Sequence, residues 1–139
     1  MQIIDGIKKI LEKEKEIIFA YLYGSFLNFS TPNQNKFGSG QGFNDIDIAI
    51  YLNARKPLKF IADLDFKLSK ALNVSPDIFD IKILNNILEK PDAFSLLYLE
   101  RLFSEGKLIV NKDERFLGEF LERYSGKYRE AEVLISEVQ

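Results

Sequence analysis

The acids in "NDIDIAIYL" (Asn44 to Leu52) are the residues whose type and spacing most directly offer chemistry. Asp45 and Asp47 stand at i and i+2, so in an extended chain both carboxylates leave one face, roughly 6.5 to 7 Å apart at the backbone, and can converge on one cation. An isolated pair of this kind is more often ordinary solvated charge. Here Ile46, Ile48, Ile50 and Leu52 occupy the other face. The segment therefore reads as a strand with one packed face, whose acids stand at the rim of a sheet, where ligand sites of α/β folds gather. In "DIFDIKIL" (Asp77 to Leu84), Asp80 falls on the face opposite Phe79, Ile81 and Ile83. Three carboxylates on neighbouring strands can hold two Mg²⁺ ions about 3.5 to 4 Å apart, which clamp the attacking and leaving oxygens of a phosphoryl displacement.

An anion site would complete such a centre, and "YLYGSFLNFS" (Tyr21 to Ser30) offers one. An apolar strand that stops at Gly24-Ser25 and continues as a short helix presents backbone N–H groups, a hydroxyl and a helix N-terminus to a phosphate. Alone, a Gly-Ser after a strand is usually a turn with a cap. Lys82 shares the face of Asp80 and suits either a phosphate contact or a cross-strand salt bridge. Tyr21, Tyr23 and Phe26 could stack a base, although aromatics in an interior strand are more often core.

Composition limits the alternatives. The chain has 139 residues and no histidine or cysteine, which removes Ser-His-Asp and Cys-His catalysis, imidazole ligands and histidine bases together. A formal net charge of −2 provides no broad basic field, so strong nucleic-acid binding is not expected. With 46% hydrophobic residues and no apolar run near the ~20 needed to cross a membrane, the expectation is a globular protein. The charged start "MQIIDGIKKILEKEKE" has no signal-peptide pattern, which gives a cytoplasmic expectation.

The elements that must position these residues follow from periodicity. Ile3, Ile4, Ile7, Ile10 and Leu11 predict an amphipathic helix, and Ile17 to Gly24 an interior strand. Thr31 to Phe43 is polar and glycine-rich and reads as a surface insertion. Leu58, Ile61, Leu64, Leu68 and Leu72 predict a helix from Pro57 to about Asn73. A further helix is expected from Pro91 to a stop at Gly106, then a short edge strand at Lys107 to Val110 and a final helix over 113–137 with a break near Gly126. The order predicts a single α/β domain spanning residues 1–139, a mixed sheet covered by helices, with residues 91–139 as its C-terminal helical part.

Gly-Ser after a strand, a DxD on the next strand and an aspartate on a later strand together resemble the nucleotidyltransferase superfamily with the DNA polymerase β-type palm. Within it, the chain is most similar to the minimal nucleotidyltransferase (MNT) group, often the antitoxin partners of HEPN-domain toxins. "PDIFDIKILNN" is similar to that group's strand with two aspartates, and "LLYLERLFSEGKLIVNKDERFLGEFLERYSGKY" to its tail. The resemblance covers most of the chain and implies that Gly24 and Ser25 bind the triphosphate of ATP or another NTP, and that Asp45 and Asp47 bind Mg²⁺. A third aspartate would bind metal and help deprotonate the acceptor hydroxyl. Strand alternation favours Asp80 for that role; related families keep their only aspartate at the position of Asp77, so both remain candidates.

The acceptor implied is a tyrosine of a HEPN toxin, neutralised by AMP transfer. Such toxins use an arginine and a histidine, so this chain cannot be one. Nineteen residues (26–44) separate Ser25 from Asp45, about twice the family's usual number; "LNF" (Leu27 to Phe29) stands where the family has small-Arg-Gly, and Asn44 replaces a serine. The competing readings are a catalytically weak module of the same fold that neutralises a HEPN partner by contact, and a transferase acting on a small molecule. Oligomerisation, with itself or with a partner, stays open.

Overall fold

The structure, a computed structural model, describes residues 3–24, 46–54 and 58–138. Ser25, Asp45, the short helix expected through Ser30, the insertion at 31–43 and Pro57 lie outside the described residues. Helix α1 (Ile3–Lys13) leads into β1 (Ile17–Tyr23), followed by β2 (Ile46–Leu52), α2 (Leu58–Leu72), β3 (Phe79–Ile83), α3 (Ala93–Glu105), β4 (Lys107–Asn111), α4 (Glu114–Glu130) and α5 (Glu132–Val138). The strands form one mixed sheet in the order β3-β2-β1-β4. β1 runs antiparallel to both neighbours, whereas β2 and β3 are parallel, joined through α2. A parallel neighbour requires a crossover, and α2 supplies it. β4 lies at an edge, as expected.

The alternation of β2 does separate two faces, but both are packed, which corrects the expectation of a strand with one packed face. On one side Ile46, Ile48, Ile50 and Leu52 meet Ile7 and Leu11 of α1 and Leu64 and Leu68 of α2 in an aliphatic core. On the other, Phe19, Tyr21 and Ala49 join Leu96, Leu99 and Leu102 of α3, Phe120 of α4 and Ile135 of α5. The rings make this second core specific. Phe19 stacks on Tyr51 at 5.0 Å with 10° between planes, and Phe120 meets Phe19 edge-on at 5.8 Å. An irregularity between Ile17 and Phe19 in β1 delivers Phe19 to Tyr51, so that Ile18 and Phe19 both face the aromatic side.

Local signals explain the ends. Asn73 adopts φ 57 after α2, a left-handed stop. Asp92 caps α3 by accepting from Ser95 N–H at 2.7 Å. Gly106 does end α3, yet its φ of −78 is not left-handed. Its smallness is what matters: a Cβ there would press on the Leu102 carbonyl oxygen and lie 3.0 Å from that of Leu22. The break in the last helical region falls at Ala131 and not near Gly126, where a Cβ would meet nothing within 4 Å. Asn85 finishes β2. Its Nδ2 donates to the Leu52 carbonyl and its Oδ1 accepts from Leu52 N–H, both at 2.8 Å. Among the described residues no helix is long and apolar enough to cross a membrane.

Candidate active site

The site is assembled by register. Parallel pairing sets Asp47 against Asp80 and Ala49 against Lys82, so two acids and a lysine emerge on the aromatic side of two adjacent strands. Neighbouring strands lie about 4.8 Å apart, which puts the two carboxylates within reach of a common ligand. Antiparallel pairing sets Tyr23 against Asp47, and Gly24 follows with φ 126. That backbone is strained for any residue with a Cβ, so glycine is required where β1 ends beside the acids.

Helix α3 covers the same spot with Tyr98. The Lys82 ammonium lies 4.4 Å from the Tyr98 ring centroid, a cation–π distance. Burial, then the charges of Asp47 and Asp80, then Tyr23, push the Tyr98 hydroxyl up to about 12. Tyr98 therefore stays an uncharged phenol at neutral pH, in the field of both aspartates. Among the described residues Lys82 forms no ion pair.

Asp77 is elsewhere. It sits not on a strand but in a 3₁₀ turn, Pro76–Ile78, capped by Ser75. Its charge acts on Asp65 of α2, helping burial to raise that carboxyl. Ile78 packs in the aliphatic core. Among the described residues no group of three acids could hold a metal ion, so Asp77 does not complete a triad with Asp47 and Asp80. Asp45 and Ser25 lie outside the described residues. The acids that are described suit Mg²⁺: paired carboxylate oxygens beside a glycine-ended strand are hard donors of the kind it prefers.

The remaining tyrosines divide. Tyr21 is core, edge-on to Phe19 and Phe103. Tyr98, Tyr124 and Tyr128 are partly buried against the aromatic core. Tyr128 donates to Glu100 at 2.7 Å. Sequence reasoning missed Tyr98 as a member of the site, since nothing in the local pattern of α3 links it to β3. On the aliphatic side, a groove of about 430 Å³ lined by Ile10, Lys13, Phe66 and Lys70 lies apart from the acidic pair.

A family profile described as "Polymerase beta, Nucleotidyltransferase" matches residues 5–115, which include β1, β2 and β3. The chain belongs to this nucleotidyltransferase family. The polymerase β-type fold it implies agrees with the mixed sheet and its helical layers. Solved structures agree too. A toxin–antitoxin complex with AMP-PNP contains a chain of TM-score 0.58 and 21% identity, with 97% of each chain covered. A tri-AMPylated Shewanella oneidensis HEPN toxin in complex with MNT antitoxin gives 0.55 and 21%, covering 98% of this chain and 95% of that one. The MntA-HepT toxin–antitoxin gives 0.55 and 19%, covering 98% and 96%. At these identities the likeness is one of fold. No curated protein sequence matches the chain.

Proposed function

We propose that this nucleotidyltransferase moves AMP from ATP to a hydroxyl, a tyrosine of a HEPN-domain toxin, and so acts as its antitoxin in the cytoplasm. The observation that carries the reading is the register of Asp47 against Asp80 beside the glycine end of β1. The similarity to chains from an AMPylated toxin complex and from a complex with AMP-PNP supports the choice of nucleotide and partner.

In this reading the Gly24 backbone and Ser25 hydroxyl bind the triphosphate, and Asp45, Asp47 and Asp80 are the metal ligands. Bound Mg²⁺ supplies neutralisation of phosphate charge. Asp80 takes the place of third carboxylate in preference to Asp77, because it shares a face with Asp47. Its carboxylate accepts the proton of the acceptor hydroxyl as that oxygen bonds to the α-phosphorus; the bond from the α-phosphorus to the bridging oxygen breaks and pyrophosphate leaves. Lys82, on the same face, offers its charge to the phosphates.

The test is incubation with labelled ATP, Mg²⁺ and the HEPN partner. Wild type should label the partner and Asp45→Asn should not. Equal labelling by both proteins, or labelling by neither, removes the catalytic assignment.

A further inference from the structure

We propose that Tyr98 is a positioning residue that holds the Lys82 ammonium over its ring and so presents that charge to the triphosphate. The inference rests on the nucleotidyl-transfer reading above and adds to it a residue on a different element. Lys82 projects from an edge strand, and a lysine there has a flexible four-carbon stem and many rotamers. Its neighbour in register, Ala49, carries only a methyl group and cannot direct it. Tyr98 fills the space above, approaching from α3, and its ring lies 4.4 Å from Nζ. The ring attracts the ammonium through its quadrupole without cancelling its charge. An aspartate or glutamate in that position would neutralise the lysine and weaken its hold on phosphate. Between Asp80 on its own strand and Tyr98 on the helix, Lys82 is oriented by an uncharged partner and keeps a full positive charge for an incoming anion.

Two measurements test this. In the NMR spectrum of the wild-type protein, the ring should shift the Lys82 ε-methylene protons upfield, and Tyr98→Leu should return them to the usual lysine position; an unshifted wild-type signal overturns the contact without any variant having to fold. In kinetics with ATP·Mg²⁺ and the partner, Tyr98→Leu should raise KM for ATP by about 3- to 5-fold, the size expected for one partly exposed cation–π contact. Tyr98→Phe, which retains the ring, should recover most of that loss. In a Lys82→Ala background, Tyr98→Leu should have no further effect on KM. An equal effect in both backgrounds means that Tyr98 acts through packing alone and overturns the proposal. If wild type transfers AMP, Asp45→Asn does not, and Tyr98→Leu leaves KM unchanged, only this inference fails. If wild type does not transfer at all, the reading beneath it fails as well.

Discussion

The two faces of the sheet are covered equally well but by different chemistry. Under α1 and α2 the core is aliphatic, built from Ile7, Leu11, Ile48, Leu64 and Leu68. Under α3, α4 and α5 it is aromatic, with Phe120 meeting Phe19, Tyr51 and Phe103, and this is the face on which Asp47, Asp80 and Lys82 emerge. Branched aliphatic side chains fill volume without direction. Rings have geometry and, in tyrosine, a polar end, so an aromatic layer can pass from dry core to charged site within one helix turn. α3 does this, with Leu99 fully buried and the adjacent Tyr98 reaching Lys82. The candidate chemistry is therefore confined to one face, while both contribute stability.

The separation can be broken most severely on the aliphatic side. Leu68→Ala, at a fully buried position, should cost about 2–5 kcal/mol in urea denaturation. KM for ATP, measured where the variant is still folded, should not move; a specific change in KM would contradict the division. Next in size is a paired test of two aspartates. Asp80→Asn should lower partner labelling by about a hundredfold, the scale on which single preorganised charged groups act in catalysis. Asp77→Asn, on the α2 side, should leave labelling within a few-fold of wild type, and the reverse result would transfer the role to Asp77.

Gly106→Ala should destabilise by about 1–3 kcal/mol through backbone collision with Leu102 and Leu22, as read from the melting curve. The smallest effect belongs to pH and to the aromatic face alone. Tyr98 and Tyr124 are both pushed up to about 12, with burial the main cause in each. Because the folded protein holds these protons more tightly than the unfolded chain, their contribution is intact below about pH 10 and is lost as pH rises towards 12. Denaturant midpoints at pH 9 and 11 should therefore differ less in Tyr98→Phe and Tyr124→Phe than in wild type.

Much of this was legible in the residues. The alternation of Ile46 to Leu52 and of Phe79 to Ile83 is a local property that survives into the structure, and it places Asp80 on the side of Asp47. What was not legible depends on tertiary packing. Ala49 and Tyr51 look like a half-polar face until the rings of α4 cover them. Asp77 looks continuous with β3, but Ser75-Pro76 starts a 3₁₀ turn that takes it off the strand. Gly126 looked like a helix breaker; its cost of about 1 kcal/mol is outweighed where Phe120, Tyr124 and Tyr128 pack the same helix onto the core. Tyr98 could not be assigned to the site because nothing local links α3 to β3.

Asn85 has a consequence for how the chain tolerates change. Its carboxamide stands in for a peptide group and fastens the last residue of β2 to the segment after β3, at the end of the strands away from the acids. The alignment of the two strands is thus referenced to a datum remote from the site. A change at Asn85 would therefore release the end of β2 from the segment after β3 without touching Asp47 or Asp80 themselves.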